Sequence, residues 1–142
     1  MKDSKSALSN CLYFSSNSFA RTMNRLAEEE FMITGLSPAH AIALVVVYEN
    51  PGITPKRIAL ELKLASSTIT RFLDALEKKQ LIKRSVEGKN SKISITEKGN
   101  SMYETIKNAW QNLNDRYLSI LGEKSAKVLT QLINFADNEL KL

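Results

Sequence analysis

A single cysteine, Cys11, in a chain of 142 residues closes no disulfide within the chain. That usage fits a reducing cytoplasm, and the expected location is cytoplasmic. A single histidine, His40, offers no cluster of imidazole and thiolate donors, and metal centres need several such donors together. Glycine (5) and proline (3) are scarce, which favours a mainly helical chain. No apolar run approaches the roughly 18 residues of a membrane span. The opening MKDSKSALSN lacks the apolar stretch of a secretory signal. There is no glycine loop to cradle a phosphate and no nucleophile motif. No enzyme, cofactor, metal site or membrane partner is therefore expected. There is also no internal repeat, and the length is that of one domain.

What is present is concentrated in residues 54–99, TPKRIALELKLASSTITRFLDALEKKQLIKRSVEGKNSKISITEKG. Thr54 can cap a helix that Pro55 opens, because the first helical position needs no N–H donor. Ile58, Ala59 and Leu62 line one face of that helix, and Leu64 and Ala65 make a turn. A second helix is predicted over 66–79, with Ile69, Phe72, Leu73 and Leu76 at helical spacing. Opposite this seam fall Ser67, Arg71, Asp74 and Lys78, with Thr68 and Thr70 at the flanks. Strands are predicted over 81–85 and 92–96, the second from the alternation of Ile93 and Ile95 with Lys92, Ser94 and Thr96. The six residues 86–91 read as the loop between them. Two helices around a tight turn followed by a hairpin make a winged helix-turn-helix, a DNA-reading unit.

Charge segregates in the same way. Residues 54–99 hold 11 Lys/Arg and 5 Asp/Glu, a net of +6. The remainder holds 9 and 10, a net of −1, and together they give the formal +5. Positive charge thus collects on the unit that would face phosphates.

The run LASSTITRFLDALEKKQLI, the short wing and ITEKG, preceded by LSPAHAIALVVVYENPGITPKRIA, resemble the MarR-type transcriptional regulators. The resemblance is specific over residues 36–99 and architectural outside them. It implies a homodimer that binds a pseudo-palindromic operator in double-stranded DNA, often released by a small-molecule inducer or by oxidation. Three positions depart from the family pattern. Gln80 stands where a glycine usually follows the recognition helix, and must take a helix-ending conformation. Ala65 replaces the usual Ser or Thr cap, so that the cap would fall to Ser66. Glu87, Gly88 and Lys89 stand at the wing tip where the family shows an acidic residue, a spacer and Arg, and Lys lacks the planar fork of Arg.

Ser67, Thr70 and Arg71 are the expected contacts at or near base edges. Ser66, Thr68 and Lys78 are expected on phosphates, and Lys83, Arg84 and Lys89 in the wing.

Outside the unit, a long helix is predicted from about Ala7 to Phe31, with Glu28, Glu29 and Glu30 as a solvated patch near its end. Residues 1–6 are polar and expected to fray. Ser37 and Pro38 open a helix apolar nearly all round. After Gly99 a helix runs to about Leu121, and after the break at Gly122 a last one covers 125–140. These terminal helices carry more apolar surface than the winged unit can cover, and a second copy is the simplest sink. The whole chain, 1–142, is thus one domain: mainly α with a small β-hairpin wing, residues 36–99 for DNA binding and 7–35 with 100–142 for dimerisation.

One branch of the family senses organic peroxides through a cysteine in the first helix. When Arg21, Asn24 and Arg25 are matched to that branch's similar run, its cysteine position falls on Tyr13. Cys11 then lies roughly 200° away round the helix, and a buried inert thiol is expected. A small-molecule site is expected between the winged unit and the terminal helices, lined by Tyr13, Phe14, Asn17, His40 and Tyr48. The rival readings are a winged-helix protein-interaction module that binds no DNA, and a thiol-based redox regulator using Cys11.

Overall fold

The computed structural model describes residues 4–141. The elements are α1 (Ser4–Ser9), α2 (Leu12–Phe31), a 3-10 turn (Met32–Thr34), α3 (Pro38–Glu49), α4 (Pro55–Leu62), α5 (Ser66–Lys78), β1 (Ile82–Glu87), β2 (Asn90–Ile95), α6 (Glu97–Ser101), α7 (Tyr103–Leu121) and α8 (Glu123–Leu140). This is the winged helix-turn-helix with long flanking helices that the sequence predicts.

The helix starts follow from cap chemistry. Ser37 Oγ accepts from His40 N at 3.2 Å, and Thr54 Oγ1 from Arg57 N at 3.2 Å. In each case proline occupies the first helical turn. The stops use left-handed residues. Lys63 (φ 55°) ends α4, and Gln80 (φ 62°) follows α5, a conformation costing a non-glycine residue roughly 1–2 kcal/mol. Gln80 N donates to Glu77 O at 2.8 Å and Leu81 N to Leu76 O at 3.0 Å. These bonds satisfy carbonyls that the helix end would leave open, while Leu76 and Leu81 pack together inside, 0% and 2% exposed.

The core of the winged unit is Leu44, Val47, Ile58, Ile69, Leu73, Leu76, Leu81, Ile82 and Ile93, each at most 2% exposed. Each such side chain contributes about 1.5–3 kcal/mol of transfer free energy. It joins α3, α4, α5 and the hairpin into one body, and Phe31 and Ile106 attach α2 and α7 to it.

Several boundaries differ from the sequence reading. The hairpin strands are longer and pair from Ile82↔Ile95 to Glu87↔Asn90, so the loop is two residues rather than six. Gly88 takes φ 65°, the first position of a type II′ turn, which matches the strand twist. Ile53 also bridges to Ile93. The cap of α5 is Ala65, with no side-chain bond, and does not move to Ser66. The helix expected to follow Gly99 begins earlier: Thr96 caps α6, accepting from Gly99 N at 3.0 Å, and α7 continues past Met102.

At the N-terminal end the predicted continuous helix is broken. Cys11 is extended (φ −99°, ψ 114°) and precedes α2 without a side-chain cap bond. Its thiol is exposed rather than buried, because the helix breaks there and no element covers it among the described residues. The fraying expected for residues 1–6 lies, for 1–3, outside the described residues, and from Ser4 the chain is helical. The acidic patch is also not simply solvated: Arg116 Nη1 lies 2.7 Å from Glu29 and 3.5 Å from Glu30, tying α7 to α2.

The terminal helices are poorly covered. In α8 only Ala126 is buried, and in α7 only Ile106 and Ala109. Leu12 (72%), Ile120 (74%), Leu132 (59%) and Phe135 (64%) face outward.

Candidate nucleic-acid interface

Helix α5 presents two chemically distinct faces. Ile69, Leu73 and Leu76 are 1%, 1% and 0% exposed, and Phe72 packs partly buried beside them, edge-on to His40 with ring centroids 4.6 Å apart. This seating fixes the rotation of the helix, so Ser66, Ser67, Thr70, Arg71, Asp74 and Lys78 are exposed and Thr68 is half-buried. Thr70 Oγ1 donates to Ser66 O at 3.0 Å, which spends its hydrogen and leaves the oxygen as an acceptor. Arg71 and Lys78 carry no ion pair or side-chain hydrogen bond among the described residues, so their charges are available. With no side-chain cap at Ala65, the first amides of α5 have no side-chain partner, and the positive end of the helix dipole lies there.

The wing divides its basic residues. Lys83 and Lys89 are exposed, Lys89 within the two-residue turn, and neither has an ion-pair partner among the described residues. Arg84 behaves otherwise. The burial pattern along β1 places it on the inward face with Ile82. Its Nη2 lies 2.6 Å from Asp74 Oδ1, and its Nε lies 3.8 Å from Glu77 Oε2. That second contact is an ion pair too long for a hydrogen bond, and Nε is buried without one. Arg84 is thus turned back on α5 and not outward with the other wing cations. The period of two along the strand carried this signal, since Ile82 and Arg84 share a face.

The five residues expected to line one pocket do not converge. Tyr13 is 79% and Phe14 40% exposed at the start of α2. Asn17 Nδ2 donates to Tyr13 O at 2.7 Å. His40 sits against Phe72, and both its burial and the Lys79 ammonium hold its imidazole below the usual histidine range. Tyr48, two turns further along α3, stacks on Tyr103 with centroids 3.8 Å apart and rings 12° from parallel. That stack borders a cleft of about 330 Å³ between α3 and α7, lined by Val45, Glu49, Tyr103, Lys107, Trp110, Gln111 and Asn114. By helical period alone Trp110 belongs to the apolar stripe of α7. The signal for a cleft was the mixed aromatic and polar run Tyr103, Lys107, Trp110, Gln111 and Asn114 on one side of α7. Among the described residues, no group of three or more His, Cys, Asp and Glu side chains is placed to hold a metal ion.

An exposed polar and basic helix face beside a basic hairpin, both seated on one core, is the reading head of winged helix-turn-helix DNA-binding proteins. The comparisons agree. Residues 36–93 match the MarR family model, and the chain is similar to HTH-type transcriptional regulators. It is 26% identical over 118 residues to the uncharacterized HTH-type transcriptional regulator YybA of Bacillus subtilis, covering 81% of this chain and 79% of YybA. The fold matches that of the repressor CouR bound to a 23-mer DNA duplex, with TM-score 0.84, 22% identity, and 92% and 94% of the two chains covered. CouR, from Rhodococcus jostii RHA1, bound to p-coumaroyl-CoA matches with TM-score 0.83 at 22% identity, over 95% of this chain and 96% of that one. The S. aureus MepR–DNA complex matches with TM-score 0.81, 19% identity, and coverage of 92% and 98%. No single helix among the described residues is long and apolar enough to cross a membrane.

Proposed function

We propose that this protein represses transcription as a homodimer, each subunit laying α5 in the major groove of one half of a pseudo-palindromic operator. The observation that carries this is the outer face of α5, whose Arg71 and Lys78 carry no ion pair among the described residues. Ser67, Thr70 and Arg71 reach base edges, while Ser66, Thr68, Lys78 and the open amides of the first turn take phosphates. Lys83 and Lys89 add wing contacts to the backbone. The +6 balance of residues 54–99 supplies the sequence-independent attraction.

Dimerisation is supported by surface. The chain exposes 10097 Å², whereas a compact monomer of 15.9 kDa would expose about 7,400 Å². The excess is of the size that obligate homodimers bury; the outward Leu12, Ile120, Leu132 and Phe135 support assigning residues 7–35 and 100–142 to dimerisation and 36–99 to DNA.

The test is affinity for an operator selected from a random duplex pool, followed across a salt series, with sedimentation at micromolar concentration. The expected result is sequence-selective, salt-sensitive binding by a species of about twice 15.9 kDa. Leu132→Glu should shift the mass toward one chain and weaken the operator more than random DNA. A protein that binds no duplex at low salt is instead a protein-interaction module.

A second reading concerns control. The cleft between α3 and α7 lies where the reading head joins the long helices, and CouR is a structural neighbour seen with both DNA and a small ligand. A small-molecule inducer seated against Tyr103 and Trp110 would change the angle between those helices and so the spacing of the two α5 helices. Quenching of Trp110, the single tryptophan, by such a ligand is the direct measurement.

A further inference from the structure

We propose that Arg84 is a positioning residue of the DNA interface: it sets the wing against α5 through Asp74 and Glu77 and does not itself touch DNA. The proposal rests on reading α5 and the wing as the DNA-binding surface. A two-stranded hairpin is marginal by itself, and the outer part of this one is bare, with Val86 73% exposed. Leu81 and Ile82 anchor its base. Beyond them, the Arg84 pairs are the only side-chain hydrogen bonds or ion pairs joining β1 or β2 to α5 among the described residues. The guanidinium suits this task because its rigid fork can serve two carboxylates at once, one turn apart on the helix.

A direct phosphate contact would have to undo this arrangement. Asp74 is 63% and Glu77 47% exposed on α5, and both would be left as bare carboxylates on the helix that approaches DNA. Paired with Arg84, one of their two negative charges is balanced and the wing is held at the same time. Arg84 thus differs from Lys83 and Lys89, whose charges are free.

The experiment measures operator affinity of the full chain by fluorescence anisotropy, for Arg84→Ala and Arg84→Lys, each in the wild-type and in the Asp74→Asn/Glu77→Gln background. In the wild-type background Arg84→Ala should weaken the operator roughly fivefold, the upper end for a partly exposed ion-pair network. Arg84→Lys should lose nearly as much, since a point charge cannot bridge both carboxylates. With Asp74 and Glu77 neutralised, either change at Arg84 should alter affinity by less than about twofold. The proposal is overturned if Arg84→Lys binds like wild type, or if Arg84→Ala costs as much in the neutralised background, as a phosphate contact would. Should Arg84→Ala fail to melt cooperatively, Arg84→Lys in the two backgrounds carries the same comparison. Absence of any DNA binding by the wild type would overturn the proposed function instead. The clamp is then read by hydrogen exchange, where Arg84→Lys should speed exchange of the amides in residues 86–91, and unchanged exchange would overturn it.

Discussion

Gly99 gives the sharpest test of the packing, because helix propensity and tertiary structure predict opposite signs. Gly99 lies inside α6 and has no positive φ. By propensity alone, Gly99→Ala should stabilise the chain by about 1 kcal/mol. A Cβ there, however, would stand 2.2 Å from Leu81 O and 2.8 Å from Ile95 Cγ1. The carbonyl is backbone, and it is already held, accepting from Thr96 N at 3.1 Å. Opening the contact even to 3.0 Å moves α6 against the base of the hairpin and strains this bond and that of Thr96 Oγ1 to Gln80 O at 2.6 Å. Overpacking costs about 1–3 kcal/mol, and each weakened hydrogen bond about 1 kcal/mol. Set against the propensity gain, the net is a loss of about 2–4 kcal/mol. The melting temperature at fixed protein concentration should fall by roughly 7–13 °C. Gly52→Ala is the control: Gly52 has φ 79° and open space around the added carbon, so it costs only the conformational penalty of about 1 kcal/mol. If Gly99→Ala melts at or above the wild-type temperature, the close approach of α6 to Leu81 is wrong.

Three further outcomes are expected. Arg71→Ala should weaken the selected operator much more than a scrambled duplex, since a bidentate Arg–guanine contact discriminates by roughly 1–3 kcal/mol; Lys89→Ala should weaken both alike and lower the salt slope by about one unit for each phosphate no longer neutralised. Parallel losses for Arg71→Ala would make Arg71 a backbone contact. The imidazole of His40 is held below its usual range, by burial first and by Lys79 second, so the unfolded chain binds the proton more readily. Stability should therefore fall as pH drops below about 6.5, the unfolded value, and level off below the folded one; denaturant titrations of His40→Gln should lack that pH step. Cys11→Ser should leave operator affinity and its response to organic peroxide as they are in the wild type. Release of DNA by peroxide from the wild type alone would instead make this exposed thiol the switch.

The winged unit was legible in the sequence because its determinants are local. The Ser37–Pro38 and Thr54–Pro55 caps, the Ile69, Phe72, Leu73 and Leu76 seam, and the alternation at Ile93 and Ile95 each specify one element from its own residues. Gln80 was also readable, since a helix must stop before a buried Leu81 and only a left-handed residue turns the chain that sharply. The polar face of α5 followed from the seam, as rotation about a helix axis leaves no other choice. What the tertiary structure decided are the relations between elements. Whether Arg84 faces DNA or Asp74, whether Glu29 is solvated or bound to Arg116 87 residues away, and whether Tyr48 shares a pocket with His40 or stacks on Tyr103 all depend on which side chains packing brings within a few ångströms. A charge written in sequence has no partner until the chain folds. The same holds for Gly99, whose lack of a side chain looks like a helix defect until Leu81 closes over it.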